Sequence, residues 1–214
     1  MAKRAPKRPA DERKRLSLEG AEAVFADLGF AGADTTKLAR AAGVSAPALY
    51  RYFPSKKNLF LSTLKLAGPR LAGILSHIVD ESADPLDAIW SFGLGYYDRV
   101  QTHAPVMKLW FQALVDSDDP EVRSVLQGNF TALVDLLQAN LERGRQQGLI
   151  APEIDTRVAA WHFMSIGITF ELINLLGLDG ELDRGKVEEW GRLYLKSIRR
   201  ESGGTDDGVG AESG

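Results

Sequence analysis

Few side chains in this sequence could carry out catalysis. The chain contains no Cys, which excludes thiolate nucleophiles and cysteine-ligated metal sites. Its histidines, His77, His103 and His162, fall on different predicted helices. His77 and Glu81 are four residues apart and could share a metal ion, although a surface pair is the commoner outcome of this spacing. No Gly-x-Ser-x-Gly, His-Glu-x-x-His or complete Gly-x-x-x-x-Gly-Lys-Ser/Thr motif is present, so we expect no enzyme, no cofactor and no metal.

The charge distribution favours a polyanionic partner for the first quarter of the chain. The net charge is −3, but residues 1–57 hold 12 basic and 6 acidic side chains, whereas residues 58–214 hold 14 and 23. A basic segment on an acidic body is typical of proteins that bind nucleic acid through one part only. A solvated charged surface would give the same count of charges. The motifs are therefore needed to distinguish a nucleic-acid-binding segment from such a surface.

The segment 35–53 has the capping and turn residues of two short helices joined by a tight turn. Thr35 is expected to cap the first helix, and Gly43 to end it with a positive φ. Ser45 is expected to cap the second helix, with Pro47 in its first turn. This order predicts a helix-turn-helix, although a purely structural pair of helices would share the spacing.

Small residues allow these two helices to pack closely and leave a nearly bare outer face. Ala39 permits close approach, while Val44 and Leu49 can fill the space beneath the turn. With Leu49 inside, the outward residues are Ser45, Ala46, Ala48 and Arg51. A helix that carries one Arg among small side chains can enter the DNA major groove.

From about Arg13 to Leu64 the sequence resembles the DNA-binding domain of TetR (tetracycline repressor) family transcriptional regulators. The residues that carry the resemblance are Ala21, Phe25, Gly29, Phe30, Thr35, Thr36, Leu38, Ala39, Ala42, Gly43, Val44, Ser45, Leu49, Tyr50, Tyr52, Phe53, Ser55, Lys56 and Leu59. The resemblance implies a homodimer whose paired recognition helices enter successive major grooves of a near-palindromic operator.

The resemblance also implies roles for individual residues. Thr36, Tyr50 and Lys56 would hold phosphates, helped by the amides at the start of the fourth helix. The residues that would face base edges are Ser45, Ala46, Pro47 and Arg51. Of these, Arg51 alone can contact guanine in a bidentate manner, worth ~1–3 kcal/mol of discrimination. Many family members have Gly and Thr where this chain has Pro47 and Ala48, which puts a phosphate contact there in doubt.

Helical periodicity without a convincing strand predicts an all-α fold. The first helix would bury a stripe through Leu16, Gly20, Val24 and Leu28, with Ala21 and Phe25 beside them, and end at Gly29. Further helices are predicted at about 35–42, 45–52, 56–80, 85–101, 104–116, 119–147, 156–176 and 184–200. The expected organisation is a flexible basic arm at 1–10, a three-helix DNA-binding domain at 11–57, a helical effector-binding and dimerisation domain at 58–200, and a disordered tail at 201–214. The arm could reach DNA, or serve solubility alone.

The helices at 156–176 and 184–200 are expected to form the dimer interface. The first is apolar on nearly every side and must be covered all round. The second offers a wide stripe, made of Val187, Trp190, Leu193, Tyr194 and Ile198. We expect both helices to pair with their symmetry mates in a four-helix interface. A single core helix covered within its own chain is the alternative.

Aromatic and Met residues in the body predict a pocket for a small, largely hydrophobic effector, as the family resemblance also implies. The candidate ligand-binding residues are His103, Met107, Trp110, Phe111, Trp161, His162, Phe170 and Glu171. If Glu171 faces the pocket, it would favour a cationic ligand. The polar groups Gln112 and Asn174 are further candidates.

The sequence therefore predicts a cytoplasmic, ligand-responsive DNA-binding repressor. With 44% hydrophobic and 26% charged residues it has an ordinary globular composition. The uncharged stretch from Val158 to Phe170 has 13 residues, fewer than the ~20 of a membrane helix. The alternatives are a helical DNA-binding or interaction protein without a small-molecule effector and, far behind, an enzyme whose separated histidines meet in the fold.

Overall fold

The computed structural model describes residues 10–101 and 105–200, and 82% of these described residues are helical, with no strand among them. The elements are α1 (Ala10–Gly32), α2 (Thr35–Ala41), α3 (Ala46–Tyr52), α4 (Lys56–Glu81), α5 (Pro85–Gln101), α6 (Pro105–Leu114), α7 (Pro120–Gln146), α8 (Thr156–Leu175), a 3-10 turn (Asp179–Glu181) and α9 (Arg184–Ile198). The all-α prediction is confirmed, and each predicted helix is found within a few residues of its expected limits. The basic arm and the C-terminal tail predicted at 1–10 and 201–214 lie outside the described residues, apart from Ala10 at the start of α1.

Helix α1 turns at Gly29, as predicted, and its buried face contains part of the predicted stripe. Gly29 has φ 66°, and α1 continues through one further turn to Gly32. The side chains of Ala21 and Phe25 are fully buried, whereas Leu28 is 43% exposed. The prediction is therefore correct for Ala21 and Phe25 and wrong for Leu28, while Leu16, Gly20 and Val24 are half-buried.

Asp34, not Thr35, caps helix α2. The Asp34 carboxylate accepts a hydrogen bond of 2.8 Å from the Lys37 amide, so Thr35 is the first helical residue. Asp is as good a cap as Thr, and the sequence offered both in adjacent positions. The displacement frees the Thr35 hydroxyl for a contact with α3.

The core is continuous from the N-terminal helices into the body. Phe60 of α4 contacts Phe25 and Phe30, with ring centroids 4.9 and 5.2 Å apart. Farther along α4, Asn129 of α7 donates a 2.9 Å hydrogen bond to the Leu64 carbonyl. A Cβ at Gly68 would lie 2.2 Å from the Asn129 side chain, so only Gly allows this close approach. Helix α4 thus belongs to both parts of the molecule.

One helix in the described ranges, α8, has the length and mean hydropathy of a membrane span. The estimate of 13 residues from the sequence is too short, because the helix also includes Arg157 and Glu171. A third of the residues in its apolar window are buried, Phe170 among them, and core helices pass the same test of length and composition. Glu171 is itself buried at 2% exposure, which a lipid-facing position would not favour.

The contact between α1 and α2 gives a stability prediction. A Cβ at Gly20 would lie 2.3 Å from the Ala41 carbonyl oxygen, and backbone cannot move aside cheaply. We expect Gly20→Ala to lower the free energy of unfolding by about 1–3 kcal/mol, the usual effect of overpacking. Urea denaturation would measure the change.

Gly73→Ala is the matched control, because Gly73 is also helical but has no atom within 4 Å of an added Cβ. It should be neutral or stabilising by up to about 1 kcal/mol. Equal losses in both variants would contradict the close approach of α1 and α2.

Candidate DNA-binding surface and internal cavity

Helices α2 and α3 form the predicted helix-turn-helix. Gly43 has φ 65°, as the turn requires. Ser45 caps α3 by accepting a 3.4 Å hydrogen bond from the Ala48 amide. Leu49 and Ala39 are buried at 2% and 5% exposure, so the two helices meet through a Leu and an Ala. The local sequence therefore fixes both the caps and the separation of the helices.

The side chains predicted to contact DNA lie on the accessible side of this unit. Those that are exposed are Thr36, Ser45, Pro47, Tyr50 and Arg51, whereas Ala46 and Lys56 are half-buried. The Tyr50 and Thr35 hydroxyls are 2.7 Å apart and connect α3 to α2. Lys56 Nζ lies 4.6 Å from the centre of the Phe30 ring, a cation–π contact that limits its freedom. Thr35, which was predicted only to cap a helix, thus contacts Tyr50, one of the candidate phosphate-binding residues.

The first turn of α4 carries two lysines, and the second of them contacts α7. Ser55 caps α4 by accepting from the Asn58 amide at 3.0 Å, which leaves the first-turn amides without helical acceptors. Lys57 Nζ lies 2.6 Å from an Asp119 carboxylate oxygen and 2.5 Å from a Glu121 carboxylate oxygen, both on the α7 side. These two carboxylates raise the pKa of Lys57. Lys57 therefore ties the beginning of α4 to the beginning of α7.

Two further ion pairs join α1 to the body. Lys108 of α6 lies 2.6 Å from Asp27. Arg70 of α4 pairs with Glu22, whose side chain is almost completely buried. A buried carboxylate left without its partner is costly, so the Glu22–Arg70 pair holds α1 in register with α4.

A cavity of about 60 Å³ lies inside the body. Its wall includes residues from α4 to α9, and none of the described side chains that line it is charged: Leu71, Ile89, Trp90, Phe92, Gly93, Leu94, Tyr96, Met107, Leu133, Phe163, Met164, Ile166, Gly167, Phe170, Val187, Gly191, Tyr194 and Leu195. Burial raises the pKa of the two wall tyrosines, Tyr96 and Tyr194, and keeps their hydroxyls neutral. The cavity can therefore accept an apolar group and repels a bare charge.

Only part of the predicted ligand-binding set lines this cavity. Met107 and Phe170 are in its wall. Trp110 is buried against Phe130 instead, with ring centroids 4.7 Å apart, and Phe111 is half-buried outside the wall.

The remaining predicted residues come from α8 and from the undescribed segment. Trp161 and His162 are exposed, because they lie on the outer face of α8. Glu171 is buried outside the wall, and burial raises the pKa of its carboxyl. The condition for a cation-selective pocket is thus not met, and His103 lies outside the described residues. Gln112 and Asn174 are also absent from the wall.

Three glycines of the cavity were missed from the sequence, and Tyr96, one of the aromatic residues of the body, was not among the candidate ligand-binding residues. Gly93, Gly167 and Gly191 lie on three different helices, and each faces an aromatic ring. Their helical positions were visible in the sequence as unfavourable residues for a helix interior, which can indicate a packing role. Nothing in the sequence, however, brings them to one cavity.

No cluster of side chains suited to a metal ion occurs in the described ranges. The segment from Gly180 to Lys186 does spell the first seven positions of a phosphate-binding loop. Val187 stands where the motif needs Ser or Thr, and it is buried. The Asp183 carboxylate, moreover, accepts from the Lys186 amide and occupies the helix end that a phosphate would need. We therefore assign no nucleotide site to this segment.

The fold and the N-terminal unit define a helical DNA-binding protein with a helix-turn-helix. The family model of bacterial regulatory proteins of the tetR family matches residues 18–63, which span α2, α3 and parts of α1 and α4. Residues 18–63 therefore match the DNA-binding domain of this family of transcriptional regulators.

The comparisons extend the likeness to the body. The chain is 26% identical over 163 residues to the HTH-type transcriptional activator FasR of Mycolicibacterium smegmatis, covering 72% of this chain and 74% of that protein. A TetR-family regulator from Mesorhizobium loti has the same fold, with a TM-score of 0.74 at 16% identity over 89% of this chain and 96% of the other. FadR of Bacillus subtilis, solved in complex with stearoyl-CoA, gives a TM-score of 0.67 at 18% identity, covering 85% of this chain and 95% of that chain.

The link between α4 and α7 gives a pH prediction. The hydrogen bond from Lys57 lowers the pKa of the Asp119 carboxyl from the ordinary 3.8, and hydrogen bonds from the Glu121 and Val122 amides lower it further. The stabilisation is therefore complete above that ordinary value and is lost as the pH falls through the lowered pKa. We expect Lys57→Met to raise the Asp119 pKa toward 3.8 in a carboxyl NMR titration.

Asp34 is the internal control for that titration. Its pKa is also lowered, chiefly by the Lys37 amide, and it lies away from Lys57 in the α2 cap. Its titration should be the same in both proteins. An unchanged Asp119 pKa in Lys57→Met would contradict the ion pair.

Proposed function

We propose that the protein is a repressor that binds a near-palindromic operator as a homodimer and is released by a small, largely hydrophobic ligand. Adjacent residues of α6 carry this proposal: Met107 is in the cavity wall, and Lys108 pairs with Asp27 of α1. A ligand that shifts α6 acts on the DNA-binding unit through a direct contact. The domain limits proposed for these roles are 11–57 for DNA binding and 58–200 for effector binding and dimerisation.

On the operator, α3 is the proposed recognition helix. Arg51 reads a base edge, and the side chains around it are small enough for close entry into the major groove. Thr36, Tyr50 and Lys56 hold phosphates, and the free amides at the start of α4 add a positive helix end. The Thr35 hydroxyl supports this proposal by fixing that of Tyr50 at 2.7 Å before DNA arrives.

The proposed dimer interface is centred on α8. Its outer face carries Val158, Trp161, Leu172 and Leu175, which are 65%, 44%, 46% and 41% exposed. With Ser165 and Ile168 between them, these residues follow steps of three and four along one stripe, the pattern of a helix that packs on another. The contribution expected from α9 is smaller, because most of its predicted stripe packs within the chain: Val187, Tyr194 and Ile198 are buried, and Leu193 alone is strongly exposed.

Release of the operator follows from the geometry of a dimer with two DNA-binding units. The recognition helices of a dimer must be about one turn of DNA, ~34 Å, apart. Movement of α6 against α1 changes that separation and reduces operator affinity without altering α3. The proposed effect on transcription is repression, since a protein that occupies an operator blocks transcription without a further partner. The proposed location is the cytoplasm, where operator DNA is accessible.

The small cavity favours a second candidate, a DNA-binding protein that responds to no small molecule. A cavity of about 60 Å³ is below the ~150 Å³ that accommodates benzene in an engineered protein. This candidate predicts operator affinity that no compound changes. Measuring operator affinity across a panel of apolar compounds separates the two candidates.

Selection of bound fragments from genomic DNA tests the DNA-binding proposal. Native protein should enrich a short near-palindrome. Arg51→Ala should relax base preference at one position in each half-site, whereas Lys56→Ala should weaken all sequences alike and reduce the salt dependence by about one ion per half-site. Identical behaviour of the two variants would refute the division into base reader and phosphate contact.

The α8 interface gives a prediction for oligomeric state. Trp161→Glu with Leu172→Glu places one negative charge in each half of the stripe, two in each protomer, so the dimer should dissociate in sedimentation velocity at micromolar concentration. Val115→Glu is the control, because Val115 is 82% exposed after the end of α6 and away from that stripe. Dimers that persist in the double variant would exclude α8 as the interface.

A further inference from the structure

An open depression of about 360 Å³ on the outer side of α9 is lined mostly by cationic side chains. The described residues of its wall are Arg192, Leu195, Lys196, Arg199 and Arg200. Four of these five are cationic and none is acidic, although residues 58–214 as a whole hold 23 acidic and 14 basic side chains. A concave cationic surface on an acidic body is suited to a small polyanion.

Three of the four cations have no carboxylate partner among the described residues. Arg192 lies 3.6 Å from a Glu188 carboxylate oxygen and 3.4 Å from one of Glu189. No described carboxylate lies within 4 Å of the other three, and all three are exposed. Like charges gathered in one depression repel one another, and a bound anion would relieve that repulsion.

A second open depression, of about 650 Å³, adjoins the first and shares Lys196, Arg199 and Arg200 with it. Glu153 is the one acidic side chain among the described residues of the two walls. The combined surface therefore remains cationic, and it is large enough for a ligand with several charged groups.

Backbone hydrogen bonds fix the segment that carries the two adjacent arginines. The Arg200 amide donates to the Leu149 carbonyl at 3.1 Å, and the Ala151 amide donates to the Ile198 carbonyl at 3.0 Å. Arg199 lies between these two bonds, so the end of α9 is attached to the link that follows α7. The backbone of this segment is therefore positioned before a ligand arrives, which lowers the entropic cost of binding.

The depression is remote from the beginning of α4 and its candidate phosphate contact Lys56. It lies beside Leu149, just after the end of α7, whereas the beginning of α7 contacts Lys57. The 27 residues of α7 extend about 40 Å at 1.5 Å per residue. The cationic depression is therefore not an extension of the proposed operator surface.

We propose that this depression binds the oligophosphate group of a small molecule. Three of its four cations are arginines, whose planar guanidinium groups match phosphate oxygens in a bidentate manner. A chain of two or more phosphates can contact several of these side chains at once, which a single phosphate cannot. This inference goes beyond the proposed function and depends neither on the operator nor on the internal cavity. Leu195, however, lies in both walls, so that α9 is common to the two sites.

Calorimetric titration of the full-length protein at low ionic strength, with inorganic triphosphate, ATP and orthophosphate, tests the proposal. Triphosphate or ATP should bind at least about 10-fold more tightly than orthophosphate, because only an extended anion reaches several cations. Arg199→Gln with Arg200→Gln should weaken that binding by about 10-fold or more, the effect of losing two charge-assisted contacts. The comparison of triphosphate with ATP separates an inorganic ligand from a nucleotide, and either one supports the proposal.

Arg123→Gln with Lys186→Gln is the matched control. It removes two positive charges from exposed positions outside both depressions, and Lys186 lies on α9 itself. It should leave the affinity for triphosphate within about 2-fold of the native value, since a distant surface charge adds little. An equal loss in the control and in the arginine variant would show that only net charge matters and would overturn the proposal.

Three other results would also overturn it. One is an affinity for triphosphate or ATP no greater than that for orthophosphate, or no binding of any of the three. Another is an equal loss in Arg51→Gln with Lys56→Gln, which would place the bound phosphates on the DNA-binding unit. The last is binding that appears only when the acidic residues after Arg200 are changed to amides, because the chain itself would then occupy the depression. Those acidic residues are Glu201, Asp206, Asp207 and Glu212.

Discussion

Helix α4 is the constraint on which the rest of the structure depends, because it belongs to the DNA-binding unit at one end and to the cavity at the other. Lys57 in its first turn is held by Asp119 and Glu121, and Leu71, fourteen residues later, is in the cavity wall. At 1.5 Å per residue these points are about 21 Å apart on a continuous helix. The two ends cannot move independently unless the helix bends.

The sequence of α4 places its weakest point between those ends. Pro69 removes one helical hydrogen bond, and the adjacent Gly68 lacks the side chain that would exclude Asn129 of α7. The Asn129 amide donates to the Leu64 carbonyl, so a contact between helices lies one turn before Pro69. A bend in α4 is therefore coupled to the position of α7, the helix whose first turn also holds Lys57.

Local chemistry explains which parts of the fold the sequence could predict. Gly29, Gly43 and Ser45 act through their own backbone or the next turn, and the structure has them in the expected roles. The cap of α2 was misassigned because Asp34 and Thr35 satisfy the same local rule, and only the contact between Thr35 and Tyr50 separates them.

The cavity depends on distant parts of the chain and could not be predicted in the same way. Helix periodicity shows that α8 is apolar but not which residues face inward, so Trp161 and His162 were assigned to a pocket from which they point away. Phe170 lies in the wall because it faces α5 and α9, where it contacts Tyr97 and Trp190. That orientation follows from how three helices pack, and no local pattern encodes it.

The glycines of the cavity wall have a consequence for how such a protein diversifies. Gly93, Gly167 and Gly191 lie on α5, α8 and α9, outside the segment 18–63 that matches the family. Each can gain a single methyl through one codon change, and each methyl would push a different ring toward the cavity or away from it. Under the proposed function, the range of small molecules that fit the cavity changes in small steps while the DNA-binding helices stay the same, so that a different chemical signal comes to control the same genes.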